Sequence, residues 1–205
     1  MTGRGPEDAA LNTYRLRSER FLLEAPTNDD APTLFGLAGG EDRLEVTAGL
    51  IWDGPDEISE IRQFIEESRT TSYGEHGFNW VIRDRDGRFG GAAGAALGMI
   101  GTRPSGEPGR GHVGYWLEKP YWGHGLMGEA LTSVLDLCFG ELDMVKIEAE
   151  VFDTNVRGMR LVERLGMRLE GTIRSAHLKR GVWVDTHVSG LLGEEWRRAR
   201  LGPGP

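Results

Sequence analysis

The stretch Trp122-Gly123-His124-Gly125-Leu126-Met127-Gly128-Glu129-Ala130 decides the reading of this chain. It lies between a strand signature, His112 to Leu117, and a helical one. From Gly123 to Phe139 the apolar residues Met127, Ala130, Leu131, Val134, Leu135 and Cys138 fall on one helical stripe. Glycines at this junction let backbone N–H groups approach an anion, and the helix N-terminus adds roughly half a positive charge. The loop therefore predicts a phosphate or pyrophosphate site. Gly123, Gly125 and Gly128 also match the dinucleotide fingerprint, with Glu148 and Glu150 about 20 residues further on, where a ribose-binding acid belongs. Against that stands Pro120 with its neighbours, which separate the strand end from Gly123, whereas a dinucleotide turn follows its strand directly.

The flanking sequence gives a mixed order. Arg20 to Ala25 reads as a first strand. Thr27-Asn28-Asp29-Asp30 before Ala31-Pro32 reads as the cap of a short helix. Pro55-Asp56-Glu57 opens a second helix, in which Ile58, Ile61, Phe64 and Ile65 recur at helical spacing. Phe78 to Arg83, Ala93 to Thr102 and His112 to Leu117 read as strands, the last two forming an antiparallel pair. Val145, Ile147, Ala149 and Val151 alternate with polar residues as another strand. Asn155 caps a helix that Gly166 ends. Met167 to Ser175 and Val182 to Leu192 complete the set, linked by a loop containing Lys179-Arg180-Gly181.

Composition bounds what this fold can do. The chain has 205 residues, 39% hydrophobic and 27% charged, enough for one domain with a buried core. A net charge of -8 argues against nucleic acid as the main partner, since that affinity comes from clustered Lys and Arg. No apolar run is long enough to span a membrane, and Met1 to Ala10 lacks the apolar core of a signal peptide. The single cysteine, Cys138, leaves no disulfide framework and no thiolate-rich metal site, so no metal is expected and the cytoplasm is the default compartment.

Three segments together resemble a known family. Strand His112 to Leu117 with Lys119-Pro120-Tyr121-Trp122-Gly123-His124-Gly125 and Glu129-Ala130-Leu131 is similar to the acyl-CoA loop of the GNAT superfamily, in its RimJ/RimL branch of N-terminal acetyltransferases. Asp153-Thr154-Asn155 with Leu165-Gly166-Met167 and Glu170-Gly171 resembles that family's second CoA-side segment. Gly181-Val182-Trp183-Val184-Asp185 with Glu195-Trp196 resembles its C-terminal strand and closing sequence, so the likeness covers about Ser18 to Trp196. The resemblance implies an α/β (α+β) GNAT fold: a mixed, mostly antiparallel sheet, splayed at the acyl-CoA site and flanked by helices. It divides the chain into a flexible arm over residues 1–17, a catalytic domain over 18–196 and a tail over 197–205.

It also implies the chemistry: an acetyl or related acyl group passes from acetyl-CoA to an amine acceptor, a protein N-terminus or a small molecule. A homodimer is compatible with it. The cofactor-binding set would be Tyr115, Trp116 and Leu117 on the strand; Trp122, Gly123, His124, Gly125, Leu126, Met127 and Gly128 in the loop and helix start; and Asn155, which is equally a plain N-cap. Backbone N–H groups near Trp116 would polarise the thioester carbonyl. Trp52, in a loop-like stretch, is a candidate for the substrate pocket.

Departures from the family pattern fall on the catalytic groups. The branch commonly has a Ser three residues after the capping Asn, proposed to protonate the leaving thiolate; here that residue is Gly158. A Glu often found on the strand before the loop is His112, and an acid near the last loop is replaced by His177. Either imidazole can be neutral at pH 7 and accept a proton from the amine, with His112 favoured because a strand holds it more firmly. Glu150 and Asp153 are next in line. Arg174, Lys179 and Arg180 form a basic cluster open to two readings, a solvated hairpin or a contact to a CoA phosphate or acidic acceptor. Two rival functions follow from the same residues, a dinucleotide enzyme and a non-catalytic acyl-CoA sensor.

Overall fold

A computed structural model of the chain describes residues 13–70, 77–89 and 91–201. The strands are β1 (Leu16–Arg17), β2 (Phe21–Glu24), β3 (Phe78–Asp84), β4 (Ala96–Pro104), β5 (Arg110–Leu117), β6 (Lys146–Phe152), β7 (Arg168–Lys179) and β8 (Val182–Leu192). They form one sheet in the order β1-β2-β3-β4-β5-β6-β8-β7. Every neighbouring pair is antiparallel except β5 with β6, which is parallel. A parallel pair needs a crossover, and the helix that follows the glycine loop supplies it.

The helices are α1 (Ala31–Gly39), α2 (Arg43–Val46), α3 (Ile58–Thr70), α4 (Leu126–Gly140), α5 (Val156–Arg164) and α6 (Gly193–Leu201). They lie on the two faces of the sheet. Leu126, Ala130, Leu131, Val134, Leu135 and Cys138 of α4 pack against Val113 and Leu117 of β5 and Ile147, Ala149 and Val151 of β6 in the larger core. On the other face Ala31 and Leu34 of α1 and Ile61 and Ile65 of α3 close over Val81, Ala96 and Met99. Before α1, Asp30 is buried and accepts hydrogen bonds from the Thr27 backbone and, twice, from Arg83, so the cap is also tied to β3.

Most elements follow the sequence pattern, and departures fall at the last hairpin and at both ends of the domain. The link between the last two strands is a two-residue turn at Arg180 and Gly181, both at positive φ (49° and 81°), because β7 continues to Lys179. The arm expected over 1–17 is attached where it is described: Leu16 pairs with Leu23, and the Trp80 indole donates to the Tyr14 carbonyl at 2.8 Å. Residues 1–12 lie outside the described residues. The tail expected from 197 begins inside α6, where Arg197 donates to the Phe139 carbonyl and Arg200 stacks on Trp196.

Candidate functional site

Pairing between β5 and β6 runs from Arg110↔Lys146 to Val113↔Ala149 and stops, although β5 continues to Leu117 and β6 to Phe152. The sheet therefore opens between Gly114–Leu117 on one side and Glu150–Phe152 on the other. Antiparallel strands direct alternate residues' main-chain groups to opposite edges. Glu118 N donates to Leu97 O, so Glu118, Trp116 and Gly114 point their N–H and C=O groups at β4. Tyr115 and Leu117 point theirs at the opening. The donors expected near Trp116 are thus those of its two neighbours. The Leu117 carbonyl is taken by the Trp122 indole at 2.8 Å, which folds the loop back onto the strand.

The glycine loop stands at the wide end of this opening. Gly123 (φ 84°) and Gly125 (φ 72°) both adopt left-handed conformations, Gly125 as the N-cap of α4. A Cβ on Gly123 would meet nothing within 4 Å, so the space beside it is open. Leu126, Met127 and Gly128 occupy the first turn of α4, whose N–H groups have no partner inside the helix. Leu126 is fully buried and Met127 packs at the edge of the core. Gly128 lies against Leu161, where its missing side chain lets α4 and α5 approach. His124 is exposed, and its carbonyl accepts from Arg20 at 3.0 Å.

Two contacts here had no signal in the sequence. Arg20 and Glu129 lie 109 residues apart, yet Glu129 accepts from both the Arg20 backbone and its Nε, at 2.9 and 2.6 Å. The Arg157 guanidinium lies 5.2 Å over the Trp122 ring. Arg157 takes no carboxylate partner among the described residues.

Alternation along β5 divides the remaining groups between the faces. His112, Gly114 and Trp116 face the α1–α3 side, and Val113, Tyr115 and Leu117 face the α4–α5 side. His112 stands in register with Arg103 of β4 and Glu148 of β6. Its Nδ1 is buried without a hydrogen-bond partner and lies 3.7 Å from Glu150 Oε1. Burial lowers its pKa below the usual 6.5, helped by Arg103 and Arg110 and opposed by Glu150 and Glu148, so the ring is neutral at pH 7. Glu148 is itself occupied, held by Arg110 and Lys146 at 2.9 and 3.0 Å. Beside His112 a Cβ on Gly114 would meet nothing within 4 Å. That leaves an open slot between His112 and Trp116.

His177 shares this face but not this place. It is on β7, three strands from β5, with its ring 5.5 Å from Phe152. The two histidines are not brought together. Asn155 caps α5, its Oδ1 accepting from Gly158 N at 2.9 Å, and its Nδ2 would crowd a Cβ on Gly49. The segment between α2 and α3 thus touches the β6–α5 corner. Trp52 of that segment is partly exposed, and its carbonyl accepts from Lys179 Nζ at 2.9 Å. Lys179 also pairs with Asp53 at 2.6 Å, and Arg180 reaches the Leu44 carbonyl at 2.8 Å. Lys179 and Arg180 are therefore a clamp on the segment.

Among the described residues no group of three or more His, Cys, Asp or Glu is placed to hold a metal ion, and no helix is long and apolar enough to cross a membrane.

Comparison with known proteins gives one family. Residues 20–168 match the acetyltransferase (GNAT) domain. The chain is 33% identical over 135 residues to the probable N-acetyltransferase YjcK of Bacillus subtilis, covering 63% of this chain and 72% of that one. It is 30% identical over 89 residues to the [ribosomal protein uS5]-alanine N-acetyltransferase of Escherichia coli, 43% of this chain and 46% of that one. Among solved structures, Mycobacterium smegmatis RimJ in complex with CoA-disulfide superposes with a TM-score of 0.74 at 20% identity, over 90% of this chain and 88% of that one.

Proposed function

The chain is a member of the GNAT acetyltransferase family, and we propose that it transfers an acetyl or related acyl group directly from acyl-CoA to a primary α-amine, in the cytoplasm. What supports this is the parting of β5 and β6 after Val113↔Ala149, beside a helix start whose loop carries two left-handed glycines. The N–H groups of Tyr115 and Leu117 would receive the pantetheine arm as a substitute strand. The first turn of α4, with Gly123 and Gly125, would receive the pyrophosphate. Arg157, stacked on Trp122 and free of a carboxylate among the described residues, adds a cation at the same end. A dinucleotide turn does not fit this arrangement, because a 3-10 turn at Lys119–Tyr121 separates β5 from the glycines.

The amine enters from the opposite face, through the slot at Gly114. His112, neutral at pH 7, takes the proton that the nitrogen loses as it attacks the carbonyl. An outward-facing main-chain N–H of Tyr115 or Leu117 stabilises the oxyanion that forms. Holding both reactants in one opening supplies much of the rate. An α-amine suits so modest a base: with a pKa near 8, roughly a tenth or more is uncharged at neutral pH, against less than about 0.1% for a lysine near 10.4. The relative named for an alanine of ribosomal protein uS5 points the same way.

The test is calorimetry of the parent and Gly125→Asp against acetyl-CoA and succinyl-CoA. The parent should bind acetyl-CoA and the variant should not. A variant that binds like the parent removes the loop from the site.

A further inference from the structure

The first turn of α4 carries a carboxylate, Glu129, at the helix end that would take a diphosphate. A first-turn acid stabilises its own helix, but it also repels an anion brought to the same N-terminus. Burial acts to raise the Glu129 carboxyl, yet hydrogen bonds from Ser18 and Arg20, with the charge of Arg20, bring it below its usual range, so it is ionised at neutral pH. The cation that answers it comes from the residue just before β2. Arg20 Nε donates to Glu129 Oε2 at 2.6 Å and the Arg20 main-chain N–H to Oε1 at 2.9 Å, so both carboxylate oxygens are taken.

The same guanidinium also grips the loop. Its Nη1 donates to the His124 carbonyl at 3.0 Å, and its Nη2 would lie 3.9 Å from a Cβ on Gly125. In a helix extended backwards that carbonyl would accept from Gly128 N; here Arg20 holds it instead. The C=O and N–H of one planar trans peptide point opposite ways, so fixing the His124 carbonyl turns the Gly125 N–H away from the guanidinium. The main-chain N–H groups of residues 123–128 take no protein acceptor among the described residues. Glycine has the most conformational freedom to lose, and a loop with glycines at 123 and 125 needs an outside tie to present those groups in one arrangement.

Resting on the acyl-CoA reading above, we propose that Arg20 is the positioning residue of the diphosphate loop, cancelling the Glu129 charge and fixing the His124–Gly125 peptide so that the free N–H groups of residues 123–128 are set for the ligand before it arrives. The Arg20 side chain bonds the loop and α4, not His112, so its removal should weaken donor binding and spare the step at the carbonyl.

The experiment uses the full chain with Arg20→Met and Arg20→Lys. Methionine removes the charge and the fork of donors, whereas lysine keeps the charge but is a single point donor that cannot span Glu129 and His124 together. CoA affinity is measured by calorimetry, beside the thermal midpoint without ligand and kinetics with acetyl-CoA and with S-acetylpantetheine, which lacks the diphosphate. Arg20→Met should weaken CoA binding about tenfold or more and raise the KM for acetyl-CoA alike, while kcat at saturating donor and kcat/KM for S-acetylpantetheine stay within about twofold of the parent. Arg20→Lys should recover only part of the loss. If the methionine variant does not fold, the lysine variant decides by the same comparison. Parental CoA affinity in either folded variant overturns the proposal, and so does an equal loss with acetyl-CoA and S-acetylpantetheine, which would make Arg20 a plain support of the fold. A parent that binds no CoA brings down the acyl-CoA reading itself, an outcome distinct from both.

Discussion

At Gly125 the backbone is left-handed, and a Cβ there would meet only the Arg20 guanidinium, 3.9 Å away. Aspartate there adds strain and a like charge together. Gly125→Asp should lower acetyl-CoA affinity at least about 10²-fold, ~2.7 kcal/mol, with the fold intact by circular dichroism. Gly114 is open in a different sense, since a Cβ would meet nothing. Gly114→Val should leave acetyl-CoA affinity unchanged and cut kcat/KM for the amine about tenfold or more, as valine suits a strand but fills the slot. His112→Ala should keep acetyl-CoA binding and lower turnover about 10²-fold. Because burial lowers the His112 pKa, the acidic limb of the parent should fall below pH 6.5, and the alanine variant should lose that limb. The glycines of the loop were legible in the sequence because their spacing precedes a helix stripe. Gly114 was not, since one glycine in a strand does not say what lies above it. Alternation showed that Tyr115 and Trp116 face opposite ways; which edge their amides reach depends on the β4 register, and that is a long-range fact.

The segment between α2 and α3 is held by partners more than a hundred residues away. Lys179, itself buried, bonds the Trp52 carbonyl and the Asp53 carboxylate, and Arg180 bonds the Leu44 carbonyl. Nearer in sequence, Lys119, ahead of the glycine loop, pairs with Asp42, the N-cap of α2, and with Glu45 inside it. The segment touches Asn155, and on the proposed reading its position would bound one side of the amine's approach. Lys179→Met should raise the KM for amine severalfold, speed proteolytic cleavage between α2 and α3, and leave acetyl-CoA affinity alone. The Lys179 hydrogen bond holds the Asp53 carboxyl below its usual range. A lowered carboxylate pKa stabilises the fold above the ordinary value near 4 and is lost as pH falls below it, so the clamp should stay intact throughout the neutral range. Sequence periodicity found α1, α3, α4 and α5. It passed over α2, which spans only Arg43–Val46 and presents a single buried residue, Val46. The basic cluster was legible as charge and ambiguous in role, because its partners sit on a distant loop.

Taken whole, the molecule is a sheet interrupted at one seam, and the seam is where a parallel pair meets otherwise antiparallel neighbours. The family resemblance implied a mixed sheet splayed at the acyl-CoA site, but the residues alone did not place the parallel pair. The length of pairing before the strands part was not legible either, as it depends on twist and packing summed over eight strands. Filling the seam should bind the two halves of the sheet together. At 100 times its Kd, acetyl-CoA should add about 2.7 kcal/mol of stability, a rise of roughly 5–10 °C in Tm for a chain of this size, and NAD should add none. The most direct test is thiol release from acetyl-CoA across a panel of N-terminal peptides and small amines, with the acetylated product identified by mass. The account predicts one thiol released per amine acetylated, with an α-amine as the best acceptor; saturable acetyl-CoA binding with no thiol release from any amine would contradict it and leave a protein that senses acyl-CoA without using it.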